Sequence, residues 1–175
     1  MKVLLMGHPN VGKSVVFNRL TGANVTVSNY PGTTVNYTKG YMKVRNEDAE
    51  LIDVPGTFSL EPKDMAEEVA TKMLHENSDA VVICVIDASK VERGLYLALQ
   101  IIEERFQVVI ALNMWDFAKD NNIQTDVDRL QQILGVPVVP TIAISGEGIK
   151  ELVSKIEIAR TVEVDRIINE VGGLA

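Results

Sequence analysis

Three short, unbroken apolar runs constrain the fold more than anything else in the chain. Val3-Leu4-Leu5-Met6, Val81-Val82-Ile83-Cys84-Val85-Ile86 and Val108-Val109-Ile110-Ala111-Leu112 contain no polar residue. A strand with one wet face alternates apolar and polar residues, whereas a strand that is apolar throughout is covered on both faces. Between the runs the pattern changes to a helical one. Leu95, Ala98, Leu99 and Ile102 recur at i, i+3, i+4 and i+7, Met65, Val69 and Met73 stand four apart, and Ile149, Leu152, Val153 and Ile156 form a further stripe. Buried strands alternating with amphipathic helices specify an α/β fold with a mostly parallel sheet and helices on both faces. Six strands are expected, at 2–6, 37–44, 49–54, 79–87, 107–112 and 136–139. The second and third, joined by Arg45-Asn46-Glu47-Asp48, read as a hairpin that supplies one antiparallel edge strand. Helices are expected at 63–75 and 91–104, and after a cap at Thr125, with Val127, Leu130 and Leu134 turned inward. Gly22 to Asn36, containing Asn29-Tyr30-Pro31-Gly32, reads as a mobile loop.

Length and charge narrow the possibilities. A chain of 175 residues can bury one proper core, and the pattern above fills residues 1–160. Residues 161–175 lie outside it. Val164, Ile167, Ile168 and Val171 predict a short amphipathic helix ending at Gly172-Gly173, either the start of a following helical or membrane region or a segment packed back on the domain. The net charge of −7 opposes non-specific nucleic-acid binding, which relies on Lys and Arg to neutralise phosphates. Every apolar run is well short of the ~20 residues that span a bilayer. No secretory leader precedes the first strand, so a soluble, cytosolic chain is expected. Cys84, the single cysteine, sits inside an apolar run and is read as a packing residue.

The chemistry-bearing stretches are ordered along this frame. Gly7-His8-Pro9-Asn10-Val11-Gly12-Lys13-Ser14 fits the phosphate-loop pattern G-x-x-x-x-G-K-[ST] between a strand and the helix begun by Val15. In that setting the N–H groups of residues 10–15 converge on phosphate, Lys13 reaches the β- and γ-phosphates, and Ser14 ligates Mg²⁺. Asp53-Val54-Pro55-Gly56 ends a later strand. Its carboxylate can hold Mg²⁺ through water and the Gly56 N–H can face a γ-phosphate. Asn113-Met114-Trp115-Asp116 follows the run Val108–Leu112. Asp116 can accept both N1–H and N2–H₂ of guanine, a pairing adenine cannot supply, while Asn113 reaches N7/O6 and braces the phosphate loop. A hydroxyl of Thr33-Thr34 completes the Mg²⁺ shell only when a γ-phosphate is present, which makes its loop a switch. Thr141-Ile142-Ala143-Ile144-Ser145 offers backbone to cap the guanine O6. In parallel sheets ligands bind outside the C-terminal strand ends, where the phosphate loop, Asp53 and Asn113 all fall.

Across residues 1–160 these stretches resemble the small GTPase superfamily, with its P-loop NTPase, Ras-like G-domain fold. Gly7 to Ser14, Asn29-Tyr30-Pro31-Gly32-Thr33-Thr34-Val35, Asp53-Val54-Pro55-Gly56-Thr57-Phe58-Ser59-Leu60 and Asn113 to Asp116 are similar to the cytoplasmic G domains of the FeoB family of ferrous-iron transport proteins. The resemblance implies a GTP-binding and GTP-hydrolysing switch domain with GTP and GDP as substrate and product and Mg²⁺ as cofactor. It would sit on the cytoplasmic side of the cell membrane and regulate or drive iron uptake by a membrane transport domain of the same protein; a homo-oligomer is left open. It implies Thr34 rather than Thr33 as the Mg²⁺-sensing residue, switch I around it, switch II from Asp53 onward, and Asn10 as a K⁺ ligand beside the phosphates. Lys13, Thr34, Asn10 and Gly56 would then act on the reacting phosphate. Several residues depart from the family or superfamily pattern. His8 stands where Asn is usual, Met114 where N-K-x-D has Lys, and Ile142 where Ser is usual before Ala143. Thr57 stands where Ras-like proteins carry a water-orienting glutamine, so a slow intrinsic rate is expected. The rival readings are a ribosome-assembly or tRNA-modifying GTPase, an ATP-dependent enzyme, and a binding module without hydrolysis.

Overall fold

The computed structural model describes residues 1–22 and 24–173. Among them a single sheet has the order β2-β3-β4-β1-β5-β6-β7. Its strands are β1 (Lys2–Gly7), β2 (Val25–Asn29), β3 (Asn36–Val44), β4 (Glu47–Asp53), β5 (Val81–Asp87), β6 (Gln107–Asn113) and β7 (Val138–Pro140). β1 is central and parallel to β4 and β5, and β5, β6 and β7 continue parallel. β3 is antiparallel to β4 and β2 antiparallel to β3. The helices are α1 (Lys13–Thr21), α2 (Met65–His75), α3 (Val91–Glu103), α4 (Trp115–Asp120), α5 (Val127–Leu134), α6 (Ile149–Ile156) and α7 (Val164–Gly172).

The apolar runs are explained by two cores, one on each face. Successive strand side chains point to opposite faces, so Leu4, Met6, Val82, Cys84, Ile86, Val108, Ile110 and Leu112 join one cluster with residues of α2, α3, α5 and α7. Val3, Leu5, Val81, Ile83, Val85, Val109 and Ala111 join the other, with Val16 and Phe17 of α1 and Ile149, Leu152 and Ile156 of α6. Burial pushes the Cys84 thiol up to about 12, so at neutral pH it is a small apolar filler.

The structure corrects several expectations. The sheet has seven strands among the described residues, not six, because Val25–Asn29 pairs with β3 inside the stretch expected to be a mobile loop. Val25, Thr26 and Val27 are exposed on this edge strand, so no hydrophobic alternation marked it; β-branched composition was the only signal. The helix cap before α5 is Asp126, whose side chain accepts from the Arg129 N–H, rather than Thr125. Met65 is exposed while Val69 and Met73 are buried, because Asp64 caps α2 and leaves Met65 in the first turn at the rim. On α3 the buried face runs through Gly94, Leu97, Ala98, Ile101 and Ile102, a rotation of the expected stripe that leaves Leu99 outside. In α7 Ile167 is buried against the domain, while Ile168 and Val171 are exposed. None of the described helices is long and apolar enough to cross a membrane.

Candidate nucleotide-binding site

The phosphate loop leaves the C-terminal end of β1, the centre of the sheet, and enters α1. Two of its glycines are required by close approach. Gly7 has φ +154 and a Cβ there would lie 2.5 Å from the Val85 carbonyl oxygen; Gly12 has φ +87 and a Cβ would lie 2.4 Å from Asn113 Nδ2. Asn10 also adopts a left-handed conformation, with φ 65, which Asn tolerates better than most residues. The Gly12 carbonyl accepts from the N–H of Val15 and Val16, so the helix begins at Lys13 with the free N–H ends of its first turn facing the loop.

His8, Pro9, Asn10, Gly12, Lys13, Ser14, Val15, Gly56 and Met114 line a cleft of about 430 Å³. Lys13 Nζ bonds Asp53 Oδ1 at 2.9 Å, with both side chains largely buried. Cation and carboxylate therefore stand together at the C-terminal ends of β1 and β4, where the sequence pattern required one for phosphate and the other for metal. Asp53 and the Ser14 hydroxyl are hard oxygen donors of the kind Mg²⁺ takes.

A second, smaller pocket of about 70 Å³ adjoins the cleft and shares Gly12, Val15 and Met114 with it; Asn113, Asp116, Ile142, Ala143 and Ile144 complete it. Asn113, 3% exposed, holds it together. Its Nδ2 donates to the Val11 carbonyl at 3.0 Å, and its Oδ1 accepts from the Thr141 hydroxyl and the Ala143 N–H, both at 3.1 Å. Asn113 thus spends most of its bonding capacity on bracing, with one amide hydrogen left over. Asp116, in the first turn of α4, is exposed toward this pocket. Met114 has φ 59, and this backbone reversal separates Asn113 at the strand end from Asp116 on the helix.

The other candidates are placed differently. Gly32, Thr33 and Thr34 lie in the turn joining β2 to β3 and line neither pocket. The turn is closed by its own bonds: Tyr30 N–H to the Val35 carbonyl at 2.8 Å, Thr33 N–H to the Tyr30 carbonyl at 3.0 Å, and the Thr33 hydroxyl to the same carbonyl at 2.9 Å. Tyr30 Oη donates to Glu76 Oε1 at the end of α2. Thr34 is exposed and makes no hydrogen bond among the described residues. After β4, the Val54 N–H donates to the Leu5 carbonyl and the Thr57 N–H to the Gly7 carbonyl, which seats Pro55 and Gly56 beside the phosphate loop. The Thr57 side chain is fully buried and its hydroxyl donates to the Ser59 carbonyl at 2.7 Å. It faces the interior rather than the cleft.

His8 packs on Phe58, ring centroids 4.9 Å apart. Its Nε2 is buried with no hydrogen-bond partner among the described residues. Burial, helped by Arg93, pulls its pKa below the ordinary histidine value against the opposing effects of the Phe58 backbone and Glu67, so the ring is neutral at pH 7.

The sequence pattern did not single out Glu67. This buried carboxylate accepts from the Phe58 N–H at 3.1 Å and the Lys63 N–H at 2.8 Å, tying residues 58–63 to α2. The signal for it was present in Asp64-Met65-Ala66-Glu67, which has the spacing of a capping box.

A family model described as Ferrous iron transport protein B matches residues 1–156. The Fe(2+) transporter FeoB of Shigella flexneri is 39% identical over 152 residues, covering 85% of this chain and 20% of that protein. The chain therefore spans about a fifth of the length of the curated relatives it matches. The cytosolic domain of the T. maritima FeoB iron transporter, in its GMPPNP form, is similar with TM-score 0.85 and 42% identity, over 90% of this chain and 63% of that one. The G domain of the same transporter is similar with TM-score 0.84 and 42% identity, over 90% of this chain and 97% of that one.

Proposed function

The chain belongs to the ferrous iron transport protein B family, and we propose that it binds and hydrolyses GTP as the cytoplasmic switch domain of a membrane transporter that takes up ferrous iron. The observation that carries this reading is the common wall of the two pockets. Gly12, Val15 and Met114 line both, so a phosphate chain in the larger and a base in the smaller belong to one nucleotide. The Asp116 carboxylate at the base pocket selects guanine, because adenine would leave it desolvated and unpaired.

We read residues 1–160 as the G domain and 161–175 as a tail, of which Val162 and Ile167 pack back on that domain. The reaction is attack of water on the γ-phosphorus, which breaks the bond to the β–γ bridging oxygen and yields GDP and phosphate. Lys13 exchanges Asp53 for the β- and γ-phosphates and offsets the charge that grows on them. Asp53, released from Lys13, and the Ser14 hydroxyl would hold Mg²⁺, and Thr34 would join them when the turn at 30–35 is drawn over a triphosphate. The Gly56 N–H faces the γ-phosphate. Mg²⁺ held by these oxygens would neutralise phosphate charge, and K⁺ held through Asn10 would supply positive charge where other GTPases use an arginine finger. The burial of the Thr57 side chain supports a slow intrinsic rate, since no side chain there reaches a water in the cleft.

Titration with GDP and ADP tests the nucleotide, and Asp116→Asn is expected to move preference from guanine to xanthine nucleotide. Equal affinity for GDP and ADP would end the guanine reading. Phosphate release in K⁺ against Na⁺, with Asn10→Ala as control, tests the cation; equal rates remove it. Iron uptake by the full-length protein carrying Lys13→Ala tests the link to transport, and undiminished uptake would break it.

A further inference from the structure

Arg19, in the last turn of α1, plays no part in the reading above, yet it makes two of the longest-range polar contacts in the fold. Its Nε donates to the Ala143 carbonyl at 2.8 Å and its Nη2 donates to the Ile144 carbonyl. The helix that carries the phosphate loop at one end thus grips, at the other, the loop that walls the base pocket. A planar guanidinium with two parallel donors suits two successive carbonyls in a way an ammonium does not.

The consequence follows from peptide geometry. The chain has no cis peptide bond among the described residues, and in a trans peptide the C=O and N–H point in opposite directions. The N–H that shares a peptide plane with the Ala143 carbonyl is that of Ile144, so holding that carbonyl toward α1 turns the Ile144 N–H away from it. The neighbouring donors are already used. Ile142 N–H bonds the Glu147 carbonyl, Ala143 N–H bonds Asn113 Oδ1, and the N–H groups of Ser145 and Gly146 both bond the Ile142 carbonyl. The Ile144 N–H has no partner among the described residues, and Ile144 lines the base pocket.

We propose that Arg19 is a positioning residue for the base: by gripping the Ala143 and Ile144 carbonyls it aims the Ile144 N–H at the guanine O6 and so lengthens the residence of guanine nucleotides. The proposal rests on the guanine-nucleotide reading. It predicts a coupling between one protein side chain and one ligand atom that it never touches.

The test compares GDP with 6-thioguanosine diphosphate, which keeps the N1–H and 2-amino donors for Asp116 and puts a weakly accepting sulfur in place of O6, each as its fluorescent ribose derivative released in a stopped-flow chase. Wild-type protein is expected to release GDP about tenfold more slowly than the analogue, the scale of one oriented hydrogen bond. Arg19→Ala is expected to speed GDP release about tenfold and leave the analogue unchanged. Arg19→Lys, which can reach one carbonyl, is expected to rescue part of the difference. Arg19→Ala accelerating both nucleotides alike, as simple loosening of α1 would, overturns the proposal, and so does no acceleration of either. Binding of GDP over ADP by the wild type separates the two levels. Where that preference holds, these outcomes bear on Arg19 alone; where it is absent, the guanine reading falls and the proposal falls with it.

Discussion

The phosphate-and-base half of the site and the turn at residues 30–35 are held by opposite arrangements of bonds. In the first, residues distant in sequence bond one another at the ends of buried strands. Asn113 reaches Val11, Thr141 and Ala143, and Lys13 reaches Asp53. In the second, the hydrogen bonds among the described residues close within six residues, apart from a tie from Tyr30 to Glu76. A site whose parts brace one another holds its shape before a ligand arrives. A turn hydrogen-bonded mainly to itself can move as a unit once Tyr30 and Val35 give up their packing against the core. The difference teaches which part of the molecule stores the geometry of the two pockets and which part is held apart from it.

Removing the central brace should break the contrast most severely. Asn113→Ala strands the Val11 carbonyl, the Thr141 hydroxyl and the Ala143 N–H in a buried place, so a loss of about 3 kcal/mol is expected, read as a lower urea midpoint together with lost GDP binding. Unchanged stability would show that the two halves are not held differently. Lys13→Ala is expected to weaken GTP binding ~100-fold, the scale of a charge-assisted contact, while the fold persists with Asp53 able to turn to solvent; isothermal titration checks it. In the turn, Thr33→Ala should cost about 1 kcal/mol, because its hydroxyl bonds the Tyr30 carbonyl and accepts from the Val35 N–H. Thr34→Ala should stay within about 0.5 kcal/mol of wild type, leave GDP affinity alone and lower GTP turnover. A Thr34 variant that loses GDP affinity would place the turn inside the rigid half. The smallest effect is expected at Cys84. With its thiol pushed up to about 12 by burial, it should resist a thiol reagent in the folded protein at pH 8 and react on unfolding. The sign for stability follows: the unfolded thiol ionises first, so this residue's contribution is whole below pH 9 and declines as pH rises toward 12.

How much was legible depended on whether a residue's partner lay nearby in sequence. The parallel sheet could be read because strands buried on both faces have no polar residue to hide, as in Val81–Ile86. Lys13, Asp53, Asn113 and Asp116 could be placed because each follows a strand, and strand ends collect on one side of such a sheet. β2 could not, since Val25, Thr26 and Val27 face water and carry no period. The cap at Asp126 was missed because Thr125 beside it has the same capping chemistry, and only the bond to Arg129 distinguishes them. The role of Asn113 was read half correctly. That it braces the phosphate loop was expected, whereas Val11 as its partner there and its bonds to Thr141 and Ala143, which depend on β6 and β7 being neighbours, were not. The Thr57 side chain was known to be too short, but its turn toward the Ser59 carbonyl belongs to the folded loop.

The Lys13–Asp53 ion pair has a thermodynamic consequence of its own. A nucleotide that draws Lys13 away leaves a carboxylate beside its phosphates, and a cation that draws Asp53 away leaves an ammonium without a counter-ion. Each ligand on its own exposes a charge that the other would neutralise, so each raises the affinity for its companion by the same factor. The pair works as a two-key lock: partner exchange is inexpensive only when both sides change together. The nucleotide should therefore come and go as a metal complex, and stripping the metal should be one of the fastest ways to empty the site.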